Sequence, residues 1–172
     1  CSAINMGLKG VAITDHADIW FYDERDYLKT IGKSISDAKY AKDKYKNDLE
    51  VFVGIELAEY LSSPEKGNLV LDLHNFDVIL GSVHSIKYGD MNDSYSRINF
   101  GNDVSNETID GFLREYFNRV YEMATKTDFD ILTHLNCPFR YINGKFGRNI
   151  SIKPYENIIK EIFSVIIERN IS

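Results

Sequence analysis

The chain has only two cysteines, Cys1 and Cys137. They are too few and too far apart for a disulfide framework, so a reducing cytoplasm is the simpler setting and Cys137 reads as a packed thiol. Long apolar runs are missing too. No window approaches the roughly 18 uninterrupted apolar residues that a membrane span needs, and no charged-then-apolar leader opens the chain. A basic surplus is also absent, the net charge being −6, whereas a general nucleic-acid binder needs a positive face that displaces phosphate counterions. Neither membrane nor nucleic acid is an expected partner, while an acidic balance suits divalent cations. The sequence contains no low-complexity tract and no internal repeat beyond an alternation of strand-like and helix-like segments.

What is present is enough for one domain with a sizeable core: 172 residues, 44% hydrophobic and 27% charged. A helix is under way at the opening SAINMGL, and VIIERNIS closes where another strand would be due. The expectation is a single domain over 1–172, truncated at both ends.

Four short apolar runs each finish on a possible metal ligand. VAITDHAD reads as a strand covered on both faces through Ile13, with Asp15 and His16 emerging at its end. VFVGIE (strand at 51–55) leads to Glu56, DVILGSVH (strand at 78–83) to His84, and FDILTH to His134. Between them, ADIWFYDERDYLKTIGK reads as a long loop or short helix, and Ser36 as the N-cap of a polar helix through about Asn47. SSPEKGN reads as turns before a brief helical pattern in LVLDLHNF. KYGDMNDSYSRINFGNDVSNE reads as a long loop, a possible lid. Two helices carry clear stripes: Ile109, Phe112, Leu113, Tyr116, Phe117, Val120 and Met123 in one; Tyr155, Ile158, Ile159, Ile162, Phe163, Ile166 and Ile167 in the other, starting near Pro154.

This β-α order favours a parallel sheet with right-handed crossovers and long loops after the strands. An open sheet would spread the four ligands along a line at about 4.8 Å per strand. A barrel makes strand ends converge on one ring, so four converging ligands favour the barrel. Three histidines and a carboxylate suit Zn, Mn or Fe, with Glu56 as the bridging group. Metals lower the pKa of bound water and neutralise phosphoryl charge, which points to phosphate-ester hydrolysis. Glu56 and His84 are the candidate catalytic residues. Arg140, in NCPFRY, can offer a planar fork to phosphate, although loop arginines are usually just solvated.

Any one of these histidines alone would read as structural. His74 lies before a strand and reads as a surface or helix-packing residue. Asp15 either orients a ligand or caps the next turn. Glu59 reads as a solvated or loop-capping charge. Trp20, Phe21 and Tyr22 fit loop packing better than a pocket for an imidazole-bearing substrate.

GLKGVAITDHAD, VGIELAEY, FDVILGSVHSI and FDILTHLNCPFRY resemble, in order and spacing, the central motifs of the PHP (polymerase and histidinol phosphatase) superfamily, its histidinol-phosphatase branch most of all. The resemblance covers nearly the whole chain. It implies an α/β fold, part of a distorted (β/α)7 TIM-like barrel, with up to three divalent metals. The implied reaction hydrolyses L-histidinol phosphate, a small-molecule phosphate ester, in histidine biosynthesis. By the motifs, His16, Glu56, His84 and His134 are metal ligands and Arg140 holds substrate phosphate. The family's first HxH and late DxH motifs are absent, an omission expected of a truncated segment, and Asn136 stands where many relatives carry an acid. Two other readings stand beside this one. One is a PHP phosphoesterase or nuclease acting on another ester. The other is a catalytically silent fragment serving as a structural or binding module. Oligomeric state is not legible in the sequence.

Overall fold

The computed structural model describes residues 1–172. In chain order its elements are α1 (Ser2–Asn5), β1 (Gly10–Asp18), α2 (Tyr27–Lys44), β2 (Glu50–Ala58), α3 (Pro64–Leu71), β3 (Val78–Ser82), β4 (Ser85–Tyr88), β5 (Met91–Ser94), α4 (Asn106–Lys126), β6 (Ile131–Leu132), α5 (Cys137–Phe139) and α6 (Glu156–Glu168). Residues cluster into two compact units, Cys1–Gly81 with Phe129–Ile131, and Ser82–Asp128 with Leu132–Ser172. No helix is long and apolar enough to cross a membrane.

The first unit is built on a parallel sheet ordered β1-β2-β3-β6. Strands are added in sequence order with no reversal, as in a barrel; a doubly wound sheet would switch direction. The α/β, TIM-like assignment stands on that order. β1 pairs with β2 over nine residues, with Ile13 beside Val53 and His16 beside Glu56. Alternation then gives the sheet two chemistries. Ile13, Ala17, Val53, Ile55 and Leu57 are on one face, and all but Ile13 join a core cluster with Ile31, Ile35 and Ala38 of α2. Thr14, His16, Gly54 and Glu56 are on the other. A β-carbon at Gly54 would meet Thr14 Cγ2 at 2.7 Å and the Val78 carbonyl at 2.9 Å, so glycine is what lets three strands close up there.

Two aspartates fix where the strands start. The Asp77 carboxylate accepts the Val53 N–H at 2.8 Å, while its own N–H donates to the Val53 carbonyl at 2.8 Å. Asp130 repeats the arrangement one strand later, with Ile79, at 2.7 and 2.8 Å. Both follow a phenylalanine, Phe76 and Phe129.

Several expectations need correction. β1 is an edge strand whose Ala12 and Ile13 are exposed, so it is not covered on both faces. The helix predicted from Ser36 begins at Tyr27, capped by the Asp26 carboxylate accepting the Lys29 N–H; the apolar stripe Tyr27, Ile31, Ile35, Ala38 extends it. SSPEKGN is mostly helix, because Pro64 sits at the first helical turn, where its missing N–H costs nothing.

The second unit corrects the expectation of a structureless lid. Residues 85–94 form an antiparallel hairpin, β4 with β5, turning at Gly89. After it, Tyr95, Ile98 and Phe100 are buried, and Arg148 donates to the carbonyls of Gly101 (2.6 Å) and Val104 (2.8 Å). A segment so pinned is not a lid. In α4 every residue of the expected stripe is buried, and Ser105 caps it. Arg169 satisfies the end of α4, donating to the Thr127 carbonyl at 2.9 Å. The α6 stripe is narrower than expected: Tyr155, Ile162 and Ile166 are buried, but Phe163 is 50% and Ile167 79% exposed.

Candidate metal centre

His16 and Glu56 lie inside strands, not beyond their ends as expected. The TDHAD tail is strand because it pairs with β2, which overrides the poor strand propensity of its polar residues. Register partners project to the same side, and His16 Nε2 stands 3.4 Å from Glu56 Oε2. The Glu56 side chain is 9% exposed and the His16 side chain 55%, so the carboxylate lies at the bottom and the imidazole at the rim. Asp15 is on the other face of β1, where the Ser34 hydroxyl of α2 donates to it. It therefore does not orient His16.

In the second unit, His84 follows β3 by two residues and His134 follows β6 by two. Their Nε2 atoms face each other at 3.5 Å, with ring centroids 5.2 Å apart. His134 has φ of 26°, a strained value for a residue with a side chain. Arg140, exposed, opens a π-helical turn, Arg140–Lys145, an irregularity frequent at functional sites. Asn136 is the residue before α5.

The two separations suit a metal. Hydrogen bonds between such atoms run shorter, about 2.7–3.2 Å. Two ligands at about 2.1 Å from one tetrahedral ion stand about 3.4 Å apart, the spacing each pair has. Imidazole nitrogen and carboxylate oxygen are donors that Zn, Mn and Fe accept.

Other residues settle more simply. His74 packs against Phe76, with ring centroids 5.7 Å apart and planes at 75°. Phe21 is buried and Trp20 and Tyr22 half-buried, in keeping with loop packing. Glu59, read as a solvated or loop-capping charge, is buried and holds a left-handed φ of 51°, with its carbonyl accepting from the Ser62 hydroxyl at 2.8 Å; the solvated reading fails. Asp18 was missed. It lies two residues beyond His16 on the same strand face, buried, and accepts from Arg25 Nη1 at 3.2 Å and the Tyr27 hydroxyl at 3.3 Å. Burial, and the charge of Asp18 after it, raise the Tyr27 pKa. The two-residue spacing from His16 was the available signal, masked by reading the strand as ended.

The model of the PHP domain family matches residues 2–172. A probable histidinol-phosphatase of Deinococcus radiodurans is 25% identical over 145 residues, 81% of this chain and 54% of the relative. A probable histidinol-phosphatase of Clostridium acetobutylicum is 24% identical over 173 positions, covering 98% and 63%. This chain thus spans less than two thirds of the length of either relative. Among solved structures, the histidinol phosphate phosphatase of Lactococcus lactis, complexed with zinc, L-histidinol and phosphate, superposes with a TM-score of 0.67 at 21% identity, over 95% of this chain and 60% of that one. A Listeria monocytogenes chain to which histidinol phosphatase activity is ascribed gives 0.71 at 14%, over 99% and 71%.

Proposed function

The chain belongs to the PHP domain family, and from that premise we propose that it is the ligand-bearing part of a metal-dependent phosphomonoester hydrolase acting on L-histidinol phosphate. The observation that carries this reading is the spacing of two donor pairs, His16–Glu56 at 3.4 Å and His84–His134 at 3.5 Å. Each of the four side chains is on a strand of the order β1-β2-β3-β6 or two residues past one. Zinc, as in the Lactococcus structure, or manganese or iron, would be held by His16, Glu56, His84 and His134. When bound, such ions supply Lewis-acid activation of water and neutralise charge on the phosphoryl oxygens.

The rest of the chemistry is the chain's own. Glu56, fixed by strand pairing and buried, presents a carboxylate that needs no reorganisation to receive a cation. Arg140 offers two parallel N–H donors to phosphate oxygens, orienting the ester for attack. The charge of −6 favours a small ester over a polynucleotide, and two unbridged cysteines favour the cytoplasm.

The test is phosphate release from histidinol phosphate by the whole protein, with and without Mn or Zn. Metal-dependent release abolished by His84→Ala is expected. Release that survives both chelation and that substitution overturns the reading.

A further inference from the structure

Arg25 lies in the loop between β1 and α2, and its guanidinium is held from one side. Its Nη1 donates to the Asp18 carboxylate at 3.2 Å and to the Tyr27 hydroxyl at 3.4 Å. Its central carbon stands 5.7 Å from the centre of the Phe21 ring, a cation against an aromatic face. The backbone is fixed as well, since the Arg25 N–H donates to the Tyr22 carbonyl at 3.4 Å and the Tyr27 N–H to the Arg25 carbonyl at 3.0 Å. Both side-chain hydrogen bonds use Nη1. The other edge, Nε with Nη2, has no acceptor in the structure. That edge carries the two parallel N–H groups whose spacing matches two oxygens of a phosphate.

Its place matters too. Asp18 is the last residue of β1 and shares a strand face with His16, two residues or about 7 Å earlier along the strand. The Arg25 side chain is 51% exposed and that of Asp18 12%. As a source of stability the pair is poor, because water screens the arginine while the buried carboxylate still costs desolvation. What it does provide is a cation with one nitrogen anchored and one edge open, at the C-terminal end of a strand, where barrels of this class bind their ligands.

We propose that Arg25 is a substrate-binding residue, taking two phosphate oxygens of the ester on its Nε–Nη2 edge beside His16, and that Asp18 is the residue that positions it. This rests on the phosphatase reading above, in which His16 is a ligand and the substrate is a small phosphate ester. Arg25 would hold the ester and not the ion, so its loss separates substrate affinity from metal affinity.

The experiment follows phosphate release from histidinol phosphate by the zinc-loaded whole protein, and zinc affinity by chelator competition. The variants are Arg25→Gln, Arg25→Lys, Asp18→Asn, the Arg25→Gln, Asp18→Asn double variant and Lys66→Gln. Lys66 bridges Asp23 of the same loop at 2.6 Å, so its variant removes equal charge from the same neighbourhood. Arg25→Gln should raise KM about 10–100-fold, the range for hydrogen bonds to a charged group, with kcat changed less than about threefold. Arg25→Lys, which keeps the charge and loses the fork, should fall between. Asp18→Asn should raise KM and add nothing in the Arg25→Gln background, because one interaction is lost in both. Zinc affinity in Arg25→Gln, and KM in Lys66→Gln, should each stay within about twofold of wild type. An unchanged KM in Arg25→Gln, an equal rise in Lys66→Gln, or a loss of zinc matching the loss of substrate overturns the proposal; losses that add in the double variant overturn the part given to Asp18.

A second readout needs no turnover. Phenylglyoxal labels accessible arginines, and mass spectrometry reads each one separately. Inorganic phosphate should slow the labelling of Arg25, and chloride at equal ionic strength should not. The exposed Arg119 of α4, paired with Glu115 at 2.8 Å, should label at one rate throughout. Labelling of Arg25 that phosphate leaves unchanged overturns the proposal. A whole protein that releases no phosphate overturns the phosphatase reading, and the labelling then still decides whether Arg25 takes phosphate.

Discussion

Replacing Glu56 with Gln preserves shape and removes the charge at the bottom of the proposed centre. Metal affinity in Glu56→Gln should fall by more than the roughly 10–100-fold typical of losing an outer-shell partner, measured by competition with a zinc chelator while circular dichroism stays unchanged. Asp77 gives a prediction of another kind. The Val53 N–H, and after it Lys42, hold its carboxyl below the ordinary carboxylate range. A folded pKa below the unfolded value of about 3.9 gives stability that is present above that value and lost as pH falls through the folded one. Asp77→Asn keeps an acceptor for Val53 and loses the charge. It should cost about 1 kcal/mol near neutrality, with the gap to wild type closing below about pH 4 in urea titrations. Single residues were also where the sequence spoke least. His16 and Glu56 stand out as candidate ligands, yet nothing in the sequence says that they are register partners. Tyr95 sits in a polar, aperiodic stretch whose tertiary burial local pattern cannot report.

Helices show which side chains matter better than their composition does. On α6, Ile162 is buried while Ile167 projects outward. Ile162→Ala should cost about 2–5 kcal/mol and Ile167→Gln less than about 0.5, read from the midpoint of urea unfolding. The stripe of α4 was legible because a period of 3.6 survives any context. That of α6 was overdrawn because its continuous isoleucines fill more than the buried arc. Ser36 resembles a helix start because serine is a good cap, but Asp26, an equally good one, comes ten residues earlier and precedes the true stripe. The hairpin was hidden by polar residues, although the two-residue turn Gly89-Asp90 between β4 and β5 was a signal. Gly54→Ala tests the sheet. With Val78 carbonyl and Thr14 in the way, it should destabilise by about 1–3 kcal/mol and, being two residues from Glu56 on one face, weaken metal binding as well.

At the scale of the molecule, parallel β-α order was readable from apolar runs, and the barrel-like strand sequence followed from where four candidate ligands fell. The division into two units was not, since contact density depends on tertiary packing. Because a metal would bind the folded chain and not the unfolded one, it should act as a folding ligand. Zinc at 100 times its dissociation constant should add about 2.7 kcal/mol, seen as a rise in melting temperature that chelator reverses and that the His84→Ala, His134→Ala double variant lacks.

The paired aspartates at the strand starts carry an evolutionary corollary. Each works as an indexing stop, setting the phase of its strand against the one before. Residues inserted upstream of Asp77, at 72–76, can be absorbed as slack before the stop engages. One residue inserted between Asp77 and Ser82 inverts the parity of the rest of that strand and turns His84 away from its row. Length variation among kindred chains should therefore accumulate before these stops and be purged after them.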